Sequence, residues 1–418
     1  MAKTTGGTDY HLIEKIFDQL SSSVAIALLK DDKLAYEFYG GRKATLSAGG
    51  GTDGSGSVGS GAGVGADNRK RGATQSAPEK TAGGKGGFFK GFGIGKGAKT
   101  PAGTHESGSG GSGGSAGSGG GGGAPSEDAG VNRMTRFNIG SAASLFTGAL
   151  IVKLMEFGEI RLTDSVCRFI PAFPYDDVTV FHLLTHTSGL SSASLPLPDN
   201  SAAKREFYKK LYEGLKSGCV PGVKYEQYQY GHAILADIVE TVSGQMLEEL
   251  ASVLFYMPLG MKCTTYNGAA LKDNQYVVPW NHKENRFMGE LHTKQSTGQS
   301  GVYTTALDLI RFGRMFLNGG EFEGKQVFLE SSIEFMLREI TAGRFMRTPL
   351  FMIKRKVDIY GCFSVKQSDD AVALTGDTGS IIFIDPPRGI VGTALTNSTW
   401  VHAVSQNYGN IVDILMSI

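Results

Sequence analysis

One feature limits what this chain can fold into more than any other: between residues 46 and 131 aliphatic side chains all but vanish, and Gly, Ser and Ala take over. Ordering each backbone residue costs about 1–2 kcal/mol. This stretch offers almost no apolar surface to offset that cost, so it reads as a disordered insertion. Many of the chain's 60 glycines lie there, and the foldable part is correspondingly shorter than 418 residues. The insertion is not uniform. Arg69, Lys70, Arg71, Lys80, Lys85, Lys90, Lys96 and Lys99 surround an aromatic island of Phe88, Phe89 and Phe92. A solvated linker is the plain reading; residues 67–100 as a docking segment for an acidic partner or RNA is the sharper one.

Both flanks carry periodic patterns. Leu12, Ile13, Ile16, Phe17 and Leu20 recur at helical spacing and predict an amphipathic helix over 9–20. Two apolar runs, 24–29 and 34–39, bracket a Lys-Asp-Asp-Lys turn and predict a β-hairpin. Beyond the insertion, Leu145, Phe146, Leu150, Ile151, Leu154 and Met155 predict a helix from Ser141 to Phe157, ended by Gly158. Helical patterns recur at 204–215, 231–242, 246–255 and 305–317; a second hairpin joins 380–385 to 390–395; residues 401–418 close as a helix. The expected fold class is α/β of the α+β kind, an antiparallel sheet built from both chain ends, flanked by helices, with an α-rich subdomain. Residues 1–45, with the first helix and hairpin, and residues 132–418 are then parts of one domain interrupted by 46–131.

Composition excludes several classes of function. With 41 Lys plus Arg against 40 Asp plus Glu, the net charge of +1 gives no global pull toward nucleic acid or an anionic membrane. Cys167, Cys219, Cys263 and Cys362 lie far apart without metal-ligand spacing, so buried free thiols are expected, with no metal and no cofactor. No apolar run approaches the ~20 residues that cross a bilayer. The first twenty residues carry Asp9, Glu14 and Asp18 and lack an apolar signal core, so a cytoplasmic protein is expected.

The motifs are more specific. Phe137-Asn-Ile-Gly-Ser141-Ala-Ala-Ser144, running into Lys153-Leu-Met-Glu-Phe-Gly158, is similar to the helix opening of the serine beta-lactamase and penicillin-binding-protein-like family. That family includes class C beta-lactamases, D-alanyl-D-alanine peptidases and esterases. Phe181-His-Leu-Leu-Thr-His-Thr-Ser-Gly-Leu190 resembles the loop after its second helix. Pro221-Gly222, Val242-Ser-Gly244, Tyr256-Met-Pro-Leu-Gly-Met261, Gly301-Val-Tyr-Thr-Thr-Ala-Leu-Asp308 and Thr375-Gly-Asp-Thr-Gly379 follow in family order. The resemblance covers the chain except the Gly-rich insertion and implies the beta-lactamase/transpeptidase-like fold.

It also implies a chemistry, which this sequence departs from at three places. The family's nucleophile is a serine whose proton passes to a lysine one helical turn on. Here Ser141 is the remnant nucleophile and Ser144 holds the lysine position; Lys153 lies roughly 18 Å along the helix, too far to substitute. The family's Tyr-x-Asn falls on Gln227-Tyr228-Gln229, with no titratable group at Gln227; a two-residue slip would use Tyr225 with Gln227 instead. Under a purely local reading, Tyr225, Tyr228 and Tyr230 alternate along an extended segment. The Lys/His-Thr-Gly of the cleft strand reads Leu374-Thr375-Gly376, an aliphatic side chain in place of a cation. Backbone donors near Ser141 and Gly379 are expected to leave an oxyanion pocket. Among the histidines, His182 and His186 fall in the loop signature and His232 on a buried helix face; His292 is the outside candidate for a displaced base, while His282 has no assigned place.

Three functions remain in view: a catalytically inactive beta-lactamase-like pseudoenzyme serving protein partners or a larger assembly; a weak or altered esterase using Ser141 with a displaced base; and a sensor with a small-molecule ligand in the remnant cleft. Fold analogy does not decide among them.

Overall fold

The computed structural model describes residues 23–41, 130–272, 274–289, 296–355, 359–403 and 406–418. The helix expected over 9–20, all but the last two residues of the insertion, and His292 lie outside these. The described residues belong to one compact unit, which takes in both chain ends around residues 50–124.

The first hairpin pairs β1 (Ser23–Lys30) with β2 (Lys33–Gly41). Its two-residue turn is Asp31-Asp32, with φ of 48° and 62°. Two left-handed residues match the twist of the flanking strands, and Asp tolerates that conformation better than most. The remaining strands, β3 (Met352–Ile353), β4 (Val372–Gly376), β5 (Ser380–Asp385) and β6 (Ile390–Thr396), come from the far end of the chain. The sheet order is β3-β4-β5-β6-β1-β2 with every pair antiparallel, and Ala27 of β1 stands opposite Thr393 of β6. The sheet is thus built from both chain ends, as expected. The backbone leaves β2 at Gly41 and returns at Val131, whose N–H donates to the Gly41 carbonyl at 3.1 Å. The described ends on either side of the insertion, Gly41 and Val131, therefore meet beside an edge strand.

β5 and β6 are buried along their whole length and β1 along all but its last residue. Continuous burial explains why they read as apolar runs, not alternating ones. On one face, Tyr408, Ile411, Val412 and Leu415 pack with Val24, Ile26, Leu28, Ile381, Phe383 and Ala394. The other face meets the helix Ala306–Leu317, where Gly313 permits close approach: a Cβ there would fall 2.4 Å from Val391 Cγ1. Arg314 of this helix grips Asp32 in the hairpin turn, with one contact of 2.6 Å.

Five longer helices complete the frame: α1 (Ser144–Glu156), α2 (Ser201–Gly214), α3 (Gln229–Ser243), α4 (Ala306–Leu317) and α5 (Gln406–Leu415). α1 is buried almost all round and packs on α3, with Phe146 edge-on to Tyr256 and Phe312 at 5.5 and 5.1 Å. Gly158 ends it in the left-handed conformation, φ 75°, its N–H donating to the Met155 carbonyl at 2.9 Å. The C-terminal segment is helical over Thr399–Ala403 and over α5, on either side of residues 404–405, which lie outside the described residues. The first buries only Val401 and leaves His402 exposed beside the cleft.

Candidate functional site

Ser141 sits in a 3-10 turn, Gly140–Ala143, that runs straight into α1. The α-helix thus begins three residues later than the apolar spacing suggests. Gly140 is left-handed, φ 54°, and a Cβ on it would lie 2.0 Å from Asp377 Oδ1. Glycine there admits the Asp377 carboxylate to the turn. The Ser141 N–H donates to Asp377 Oδ1 at 2.7 Å, and the Asp377 N–H donates back to Ser141 Oγ at 3.3 Å. Thr378 Oγ1 donates to the Asn138 carbonyl at 2.7 Å, binding the same corner.

This corner corrects one expectation. The oxyanion pocket does not stand open: the Ser141 N–H is engaged by a carboxylate, and the Gly379 N–H donates to the Gly376 carbonyl at 2.9 Å. An acceptor belonging to the protein occupies the Ser141 donor, and its negative charge opposes an oxyanion developing nearby.

Beside the corner lies a cavity of about 230 Å³, lined by Ser141, Ser144, Gln227, Gln229, Leu374 and Thr375. The structure thus gathers six of the motif positions around one space. Gly376 follows on β4, its carbonyl accepting from Tyr408 Oη at 2.7 Å. Tyr225 lines the cavity together with Gln227, so the alternative register also places a side chain there. Tyr228 turns away, donating to Ser192 Oγ at 2.8 Å, and burial pushes its phenol up to about 12. Tyr230 lies inside α3, which begins at Gln229, so the tyrosines do not alternate along an extended segment. Lys153 points elsewhere, pairing with Glu156 and donating to the Val327 carbonyl at 2.7 Å.

The histidines divide. His182 is in the capping box of the short helix Val180–Leu184, accepting from the Thr179 N–H at 3.2 Å. His282 lies against Trp400, ring centroids 4.5 Å apart. His186 and His232 both line the cavity, buried, with rings 4.9 Å apart. Burial, reinforced by the Arg347 charge, pulls His232 down to about 3. Burial first, then His232 and Arg347, hold His186 well below the ordinary range. An imidazole so depressed is a poor acceptor for a serine proton.

Sequence reasoning does not single out Gln299, Arg347, Tyr360, His402 or Tyr408, and it names Cys362 only as a buried thiol; all of them line the cavity. Only His402 carried a usable signal, as a histidine near the C-terminal helix. Among the described residues no group of three or more His, Cys, Asp or Glu side chains is placed to hold a metal ion. No helix among them is long and apolar enough to cross a membrane.

A serine-bearing turn set against the edge of this sheet defines the beta-lactamase/transpeptidase-like fold. The beta-lactamase family model matches residues 13–409, and the chain belongs to the beta-lactamase family. Penicillin-binding protein 4 of Amycolatopsis lactamdurans is 28% identical over 229 residues, 50% of this chain and 57% of that protein. The chain spans about half the length of the curated relatives it matches. Among solved structures, a penicillin-binding protein homologue from Caulobacter crescentus superposes with a TM-score of 0.64 at 14% identity, covering 100% of both chains. The octameric penicillin-binding protein homologue from Pyrococcus abyssi gives 0.62 at 18%, covering 98% of this chain and 75% of the other. At these identities the likeness shows the fold alone.

Proposed function

We propose that this beta-lactamase-family chain has lost acyl-transfer chemistry and works by binding, with the retained cavity as its ligand site. The observation that carries this is the reciprocal pair between Ser141 and Asp377, which engages the nucleophile's N–H with a carboxylate. Among the described residues no lysine lines the cavity, and its two buried histidines are poor bases. Service to protein partners in a larger assembly is compatible with this reading, since the described ends on either side of the insertion meet beside an edge strand. The four cysteines form no disulfide with one another, and two of them are buried, which supports a reducing compartment such as the cytoplasm.

A weak hydrolase is the competing reading, favoured by one observation: the exposed His402 lines the cavity, its Nδ1 3.5 Å from Tyr408 Oη. Labelling with a fluorophosphonate probe separates the two. The binding reading expects no label above a Ser141→Ala control. Labelling at Ser141 that disappears in His402→Ala or His292→Ala would establish the hydrolase instead.

A further inference from the structure

We propose that the cavity holds a small monocarboxylate whose anionic end is gripped by Arg347; this rests on the reading of the cleft as a binding site and names its ligand class. Arg347 is 3% exposed and lines the cavity. Its carbonyl accepts from the Ile340 N–H at 3.0 Å, but its Nε is buried without a partner. Among the described residues no carboxylate pairs with its guanidinium. The guanidinium lies 5.9 Å from the centre of the Tyr225 ring, and an aromatic face does not neutralise a buried cation. The described side chains lining the cavity include no Asp or Glu. Asp377, at the neighbouring corner, is already held by the Ser141 N–H. Among the described residues that line it, the cavity therefore carries one positive charge and no counter-charge. Natural proteins rarely leave such a charge buried and unpaired.

Two more groups define the rest of the ligand. His186 donates to the backbone of Tyr228, which leaves Nδ1 of the neutral ring as a bare acceptor, buried without a partner. Gln299 Oε1, on a residue 7% exposed, is also buried without a partner. Both call for a hydrogen-bond donor, so the ligand carries an O–H or N–H near its carboxylate. Leu374 and Met352 supply apolar wall for a short aliphatic part. The volume of about 230 Å³ lies below the ~300 Å³ at which pockets begin to take drug-sized ligands. A single guanidinium matches a monoanion; a phosphate dianion would bring in a second charge with no second cation to meet it. The family's cation at the Leu374 position is gone, and the positive charge of this cavity enters from a different segment.

The test is calorimetric titration of the full chain with 2-hydroxybutyrate, its neutral counterpart 2-hydroxybutyramide, and inorganic phosphate. Saturable binding of the acid is expected, at least about tenfold weaker for the amide and for phosphate. Arg347→Gln should abolish it. Thermal unfolding of ligand-free Arg347→Met should show a raised Tm, because an unpaired cation is removed, whereas a purely structural arginine would give a lowered one. Failure of the acid to saturate, equal binding of acid and amide, a preference for phosphate, or indifference to Arg347→Gln would each overturn the proposal. Ester turnover with charge-selective binding intact would sink the loss of catalysis and leave this site standing. Silence together with a charge-blind cavity would do the reverse.

Discussion

The two sides of the cavity obey opposite rules. On the side of Ser141, β4 and Asp377, polar groups meet partners inside the protein: Ser141 N–H with Asp377, Gly379 N–H with Gly376, Tyr408 Oη with the Gly376 carbonyl, Thr378 Oγ1 with Asn138. On the side of α3 and the loop before β3, Arg347 Nε, His186 Nδ1 and Gln299 Oε1 are buried with none. Reacting groups must be available to a substrate, and binding groups must be available to a ligand. In this family member the polar groups just named beside Ser141 are met within the protein, and on the proposed reading the unsatisfied side is where a ligand gains most.

The largest effect should come from acid. Unfolded histidine titrates near 6.5, whereas His232 and His186 are held far lower in the fold. Between those values the unfolded state binds more protons, so stability rises with pH and is lost as pH falls. Urea unfolding at pH 7.5 and pH 5 should differ by about 2 kcal/mol from His232 alone, the decline continuing toward pH 3, and His186 adds to it in the same direction. His232→Gln should remove that part of the dependence; a flat profile in the parent would mean that the unsatisfied side is wetter than its burial indicates.

Next in size is a break in the satisfied side. Gly140→Ala puts a Cβ on Asp377 Oδ1 and strains a left-handed residue, at a cost of about 2 kcal/mol in unfolding free energy. An unchanged midpoint would show that Asp377 moves freely and that the corner is not locked. Smaller again is Ser144→Lys, which adds a second cation to the cavity of Arg347, whose described lining holds no acid. It should lower stability by about 1 kcal/mol and restore no ester hydrolysis, because Gln227 and Leu374 still leave the proton without a route. Smallest of all is replacement of residues 46–129 by a short Gly-Ser linker. Since Gly41 and Val131 already touch, stability should stay within about 0.5 kcal/mol, and a larger loss would tie the insertion to the fold.

Much of the frame was legible because it is local. The hairpin turn at Asp31-Asp32, the apolar runs of β5 and β6, and Gly158 after α1 are all short-range signals. Motif order also placed Ser141, Ser144, Gln227, Gln229, Leu374 and Thr375 around one space. The closed corner was not legible, because Ser141 and Asp377 are 236 residues apart and their pairing exists only once the sheet sets β4 against the turn. Arg347 escaped for a similar reason. In sequence it follows Arg344 in a polar loop, where a solvated cation is the ordinary outcome; only the assembled fold buries it.

Loss of general acid–base help costs roughly 10²–10⁴-fold and loss of an oxyanion donor roughly 10²–10³-fold, and groups that act as a unit fail together, so the two do not simply multiply. The direct measurement is p-nitrophenyl acetate hydrolysis by the unmodified chain beside Ser141→Ala, at matched concentration and at pH 7.5. The account predicts rates that coincide with each other and with buffer. A Ser141-dependent rate clearly above the alanine control would contradict it, and would mean that the Asp377 carboxylate opens the corner and that a base such as His402 reaches Ser141.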